Sequence, residues 1–317
     1  MPNQGRSPAG VVVDAPAWFR AALADEPQTG YVRVDGADIA WRAWGDPGAD
    51  GIVLIHGGAA HARWWDHIAP LLVEDRRRVV AVDLSGHGDS DHRDHYDLDR
   101  WVAEAVAVAA GSAGIRDGAT VVGHSLGGLV ALRAGMLHPA HLGEVVVIDT
   151  PLGEPSPEER AARAGQAFGP LRVYPSRDQA LTRFRPMPGQ PVIDFVAGHV
   201  AAHSLREVPG GWSWKFDPGV LGFASPRTWP AMPARTRVVL IRGERGILPR
   251  RISPAIRDLL GGTATMIEIP DADHHVMLDQ PLALVAALRT DLASRSRLDL
   301  TPTPPTPPPA HRRGRRT

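Results

Sequence analysis

The sequence predicts an α/β fold, a mostly parallel twisted sheet with helices on both faces and one inserted segment over the strand ends. Three observations lead there. From residue 51 onward, continuous apolar strands alternate with stretches of helical periodicity, the pattern of βαβ units whose strands are buried on both faces. One of those strands, Thr120 to Val122, runs through Gly123-His124-Ser125-Leu126-Gly127 straight into an apolar helix. Between 151 and about 230 the alternation stops and the chain becomes rich in Pro and Gly with scattered Trp and Phe, which reads as an insertion.

In chain order, Pro16 to Leu23 reads as a short helix with aromatic anchors, Trp18 and Phe19. Residues 31–36 and 38–44 alternate with period two around a turn, the mark of an antiparallel hairpin at a sheet edge. Strands follow at 52–55, 79–82, 120–122, 145–148, 238–241 and 265–269, and helices at 62–74, 98–113, 126–138, 252–260 and 281–292. The expected organisation is an N-terminal segment over 1–28, a core over 29–150 and 231–296, a cap over 151–230, and a tail over 297–317. That tail carries a Thr-Pro run to Pro309 and then Arg312, Arg313, Arg315 and Arg316, a disordered composition leaning to polyproline.

Composition narrows the partners. The 317 residues suit one large core with an insertion, and 35 basic against 35 acidic side chains leave no net charge to recruit nucleic acid or a membrane surface. Zero Cys removes disulfides and thiol chemistry. The N-terminal apolar run is only Val11-Val12-Val13, and no apolar run approaches the ~20 residues that span a bilayer, so a soluble cytoplasmic protein is expected, its oligomeric state open.

Chemistry is expected where parallel strands end. Gly123-His124-Ser125-Leu126-Gly127 fits G-x-S-x-G, in which a sharp strand-to-helix turn holds the serine out over the sheet. The helix starting at once directs the Leu126 amide, with the positive end of the helix dipole, at any oxygen approaching Ser125. Ile52 to Ile55 runs into His56-Gly57-Gly58-Ala59, a small-residue loop whose amides can approach a bound oxygen. Asp83-Leu84-Ser85-Gly86-His87-Gly88-Asp89-Ser90 is not a dinucleotide loop, because Asp91 stands where its third glycine would fall. Nearby His87, Asp89, Asp91, His92, Asp94 and His95 lack a recognised metal-ligand spacing, and neither a metal nor a cofactor is expected. The last loop, 270–281, carries His274 and His275 late in the chain, after the serine, as the order Ser, acid, His requires.

From about Tyr31 to Leu292 these residues resemble the α/β-hydrolase fold family. His56-Gly57-Gly58 matches its oxyanion loop, Asp83 to Ser90 its D-x-R-G-x-G-x-S loop with Ser85 in place of Arg, and His274, seven residues before Pro281, its histidine loop. The resemblance implies an eight-stranded, mostly parallel sheet with a variable cap. It also implies acyl transfer with Ser125 as nucleophile, His274 as base and the amides of Gly58 and Leu126 as oxyanion hole.

The acid stays open between two main places, with Asp273 as a further alternative. The family's commoner site, three residues after the glycine closing the seventh strand, is Gly243 plus three, and it holds Gly246; Glu244 is the acid nearest to it. Some members carry the acid after the sixth strand, where this chain has Asp149. The resemblance favours an ester or small amide substrate, with carbon–carbon bond hydrolysis, lactonase or thioesterase chemistry, or a non-catalytic binding member, as alternatives. Arg183, Arg185 and Arg206 among Trp212, Trp214 and Phe216 suggest a carboxylate clamp with aromatic walls, and Trp64 a further wall.

Overall fold

The computed structural model describes residues 15–298 except 74–76, 116–117, 153–170, 224–228, 235 and 263. The expected N-terminal stretch before Ala15, the tail beyond Leu298 and those parts of the insertion lie outside the described residues.

The sheet strands are β1 (Gln28–Val34), β2 (Ala37–Trp44), β3 (Asp50–Ile55), β4 (Arg77–Val82), β5 (Ala119–His124) and β6 (Leu142–Ile148). After the insertion's own hairpin, β7 (Leu205–Val208) and β8 (Gly211–Trp214), come β9 (Arg237–Gly243) and β10 (Thr265–Ile269). The eight-stranded sheet has the order β1-β2-β4-β3-β5-β6-β9-β10, antiparallel only at β1/β2 and β2/β4. Chain order reverses between β3 and β5, which opens a crevice at the carboxyl ends of those two strands.

Side chains alternate across the sheet, so each strand feeds two cores. Val53, Ile55, Val121, Val145, Val147 and Leu240 pack with helices α2 (Leu98–Ala107) and α3 (Leu126–Leu137) once α1 (Ala17–Ala24) has been passed in sequence. Ile52, Leu54, Val122, Val146, Ile148 and Ile241 pack on the other face with α1 and the C-terminal helix (Pro281–Leu298). That second face explains the expected Trp18 and Phe19 anchor: Phe19 is fully buried there.

Two expected helices differ. Over the described part of 62–74, residues 62–73, there are only tight turns at Ala62–Trp65 and Ala69–Leu72, because Pro70 opens the second and would clash with a carbonyl one turn back in a continuous helix. The helix expected over 98–113 is regular to Ala107 and then widens, Ala113 N–H reaching Val108 O at 3.4 Å. The C-terminal helix runs to Leu298, past the expected start of the tail. Among the described residues no helix is long and apolar enough to cross a membrane.

A buried ion pair ties the hairpin edge to the loop after β4. Glu104, fully buried on α2, accepts Ser85 N–H at 2.8 Å and Arg93 Nε at 3.0 Å, while Arg93 donates onward to Val34 O at 2.7 Å and Asp35 O at 2.9 Å. Arg93→Ala would leave that carboxylate uncompensated, and a loss of about 3–5 kcal/mol is expected. Urea denaturation monitored by tryptophan fluorescence checks this, and a loss below ~1 kcal/mol contradicts it.

Candidate active site

Ser125 sits between β5 and α3 with φ 52° and ψ −114°, a conformation most side chains avoid. Its neighbours make the turn possible: a Cβ on Gly123 would run into the Gly127 backbone, and one on Gly127 into the carbonyls of Ile55 and His56. The turn is braced by Ser125 N–H donating to Ile148 O at 3.0 Å and by Thr150 Oγ1 donating to Ser125 O at 2.9 Å. Because α3 begins at Leu126, its first amides have no acceptor one helical turn back, although Gly128 N–H reaches the Ser125 carbonyl at 3.0 Å.

His274 comes from the loop after β10. Its Nε2 lies 3.1 Å from Ser125 Oγ and its Nδ1 2.8 Å from Asp149 Oδ2. Asp149, fully buried at the end of β6 with φ 42°, also accepts amides from Gly243 at 3.2 Å, Ile247 at 2.7 Å and Leu248 at 3.3 Å. Gly246 completes this arrangement. A Cβ there would collide with the Asp149 carboxylate, so position 246 leaves room for the carboxylate arriving from β6.

Glu244 is exposed and accepts Asp271 N–H at 3.0 Å instead. Arg245 pairs not with Glu244 but with Asp271 at 3.0 Å and Asp273 at 3.4 Å. His275 turns away, Nε2 donating to Met187 O at 3.1 Å, and burial pushes its pKa down to about 3.

The loop after β3 lies against the elbow. A Cβ on Gly57 would stand 3.3 Å from Ser125 Cβ, and one on Gly58 3.8 Å from the Leu126 side chain and 3.7 Å from Leu221. His56 holds this loop: Nδ1–H donates to Gly57 O at 2.7 Å, and Nε2 accepts Leu84 N–H at 3.1 Å, which fixes a neutral tautomer. Burial lowers its pKa to about 4 in keeping with that. The Asp83 loop is braced by its own hydrogen bonds and ion pairs. Asp83 accepts Ala62 N–H at 2.6 Å and Asp89 N–H at 2.9 Å, Asp89 pairs with Lys215, and His92 lies 3.6 Å from Asp217.

Among the described residues one trio of metal-ligating side chains comes together, His124, His274 and His275, with one nitrogen from each all within 4.8 Å of one another. Nδ1 of His124 and Nδ1 of His275 are buried without a hydrogen-bond partner, whereas His274 is engaged on both nitrogens, so an ion there would have to displace a bond of His274.

Of the expected substrate contacts, Trp64 is buried 5.3 Å from the His275 ring and 6.4 Å from Phe184, which in turn lies 6.1 Å from Trp214. Arg183 and Arg185 do not form the expected clamp. Both are exposed, Arg185 donates to Thr182 O at 3.2 Å and Phe184 O at 2.5 Å, and it is Phe184 between them that turns into the aromatic row. Arg206 lies against His92 at 3.3 Å. Sequence reasoning missed Phe184 and Leu221 for want of any local signal, whereas His56 beside Gly57-Gly58 was in view and its brace was not recognised.

The match to the family model described as alpha/beta hydrolase family spans residues 52–288, and the chain belongs to that family. It is 28% identical to the esterase Rv0045c of Mycobacterium tuberculosis over 276 residues, 83% of this chain and 89% of that protein. It is 25% identical to the lipase LipV of the same organism, over 81% of this chain and 99% of that protein. The solved structure of an alpha/beta hydrolase from Novosphingobium aromaticivorans superposes with a TM-score of 0.67 at 23% identity, covering 85% of this chain and 99% of that one.

The buried imidazoles set a pH limit. His56 and His67 have pKa values lowered to about 4 and His275 to about 3 by burial, while His61, His87 and His124 are pushed well below the usual value. The unfolded chain therefore binds more protons than the folded one between pH ~6.5 and ~4, and each such histidine removes roughly 1.4 kcal/mol per pH unit across that window as pH falls. Asp83 and Asp279, both raised to about 6 by burial, oppose this with fewer groups. Stability by urea denaturation should be present above pH 6.5 and fall steeply toward pH 5; equal stability at pH 7.5 and 5 would contradict the buried neutral set.

Proposed function

We propose that the protein is a serine hydrolase cleaving carboxylic esters with small apolar groups through an acyl-enzyme. The observation that carries this is the continuous chain from Ser125 Oγ through His274 to a buried, fully hydrogen-bonded Asp149. In this reading Ser125 Oγ attacks the ester carbonyl as His274 Nε2 takes its proton. The amides of Leu126 and Gly58 receive the negative oxygen, each donor contributing roughly a hundred- to a thousand-fold in rate. The leaving alkoxide takes the proton from His274 and departs as an alcohol. Water, deprotonated by the same imidazole, then releases the acid and restores the serine. Asp149 holds the tautomer with Nε2 free and steadies the imidazolium. No step calls for a cofactor.

Apolar substrates are favoured by what lines the approach. Leu221 and Met187 are exposed at 39% and 49%, Leu221 beside Gly58 and Met187 beside His275, and the row Trp64, Phe184 and Trp214 adds aromatic surface. The esterase and lipase named among the relatives agree in class. A fluorophosphonate probe should label wild-type protein stoichiometrically and leave Ser125→Ala unlabelled; absence of labelling at neutral pH contradicts the enzyme and favours a binding member of the fold.

The acid is tested by moving it. Asp149→Asn should lower kcat by up to ~10⁴ on p-nitrophenyl butyrate with the fold retained. Gly246→Asp should be inactive alone because its carboxylate meets Asp149, whereas Asp149→Ala combined with Gly246→Asp should regain at least about tenfold over Asp149→Ala. A double variant no better than Asp149→Ala would count against the equivalence of the two places.

A further inference from the structure

The insertion meets the histidine loop along one short strip. Gln190 Oε1 accepts His275 N–H at 2.7 Å, and Gln190 Nε2 donates to His275 O at 3.3 Å and to Asp279 Oδ2 at 3.0 Å. The amide orientation follows from its partners, since the opposite one would face an amino group to an N–H and an oxygen to two acceptors. Asp279 Oδ2 also accepts Asp273 N–H at 2.7 Å, and the neighbouring contacts are Met187 O with His275 Nε2 and Leu278 O with Ile193 N at 2.9 Å. His274 is thus flanked by two tethered amides, Asp273 held by Asp279 and His275 held by Gln190. The first tether is local to the loop; the second spans 85 residues and belongs to the insertion.

We propose that Gln190 is a positioning residue, which sets the backbone of the histidine loop so that His274 Nε2 falls on Ser125 Oγ and thereby makes seating of the insertion a condition for proton transfer. This rests on the serine-hydrolase reading. The leverage is geometric, because a misplacement of about 1 Å can cost a hundredfold in rate, and the base is one residue from the tether. The chemistry of the contact also marks it. In Gln190→Glu one oxygen still accepts His275 N–H, but the other faces the His275 carbonyl and the Asp279 carboxylate with no proton between them. A shared proton restores the bond, and burial already raises Asp279 to about 6.

The test compares wild type, Gln190→Ala and Gln190→Glu on p-nitrophenyl butyrate from pH 5.5 to 8.5. Gln190→Ala should lose roughly 10- to 100-fold in kcat with KM within about twofold. The ratio of Gln190→Glu to wild-type kcat should rise at least about fivefold as pH falls toward 5.5. A lowered melting temperature with unchanged kcat in Gln190→Ala, or a pH-independent ratio for Gln190→Glu, would overturn the proposal as a purely structural contact. A readout independent of turnover separates this from failure of the hydrolase reading: the downfield NMR signal of the His274 Nδ1 proton, identified by its disappearance in Asp149→Asn. It should broaden or vanish in Gln190→Ala at temperatures where circular dichroism is unchanged. A signal as sharp as in wild type overturns the positioning role, whereas failure of the wild type to react with fluorophosphonate overturns the hydrolase reading alone.

Discussion

A buried carboxylate is tolerable only when its lone pairs are filled, and the arrangement around Ser125 follows from how those of Asp149 are filled. Removing such a group from water costs several kcal/mol unless hydrogen bonds replace the hydration. Three backbone amides from the end of β9 and the loop behind it supply most of that replacement, and the His274 ring supplies the rest. Each donor constrains a different element. The β9 loop must wrap inward over 246–248, β6 must end in a left-handed residue, and the histidine loop must bring its ring edge to the same point. Ser125 is held at the same end of the sheet, because β5 runs between β3 and β6 and its turn is bonded to the end of β6.

The surrounding imidazoles share one electrical property, and it isolates His274. His124, His274 and His275 crowd together with ring centroids 4.6 to 5.3 Å apart. Burial drives the pKa of His124 and His275 far down, so neither carries charge at neutral pH. Within the trio only His274 has a carboxylate on its far nitrogen. His274 thus sits between the Asp149 carboxylate and Ser125 with two neutral rings packed beside it.

Much of this was legible in sequence where the cause is local. Continuous Val and Ile runs marked the buried parallel strands, and the elbow was legible because glycines at 123 and 127 are the residues such a turn requires. His274 over His275 followed from its place before Pro281. The acid was only half legible, since Asp149 and Glu244 both follow a strand, and what separates them is the space left by Gly246, a property of three elements meeting. The helix expected over 62–74 shows the opposite failure, with apolar spacing overruled by Pro70. For Arg183 and Arg185, charge was visible in the sequence but direction was not. Arg93 with Glu104, and Gln190 with His275, left no trace because each partner is ordinary by itself.

The reversal of chain order between β3 and β5 accounts for where the insertion must bear. The loops that leave β3 and β5 beside this crevice carry Gly58 and Ser125, and the loop carrying His274 reaches Ser125 from the far edge strand, β10. The insertion is bonded to the Gly58 and His274 loops. His61, three residues beyond Gly58, donates to Ser204 Oγ at 2.8 Å, and Gln190 holds His275. Between Gln190 and Ser204 lies the helix Asp194–His203, ten residues and therefore about 15 Å of stiff spacer. It is anchored midway by His199 Nε2 on Asp66 at 3.0 Å. A rigid strut with its two ends on the Gly58 loop and on the histidine loop governs the width of the space between them, and through Gln190 it also bears on the backbone beside His274. Changes in the apolar residues of the strut and its flanks would accordingly alter that space, while the bonds that join Ser125, His274 and Asp149 involve none of those residues, a division by which one fold can serve many functions.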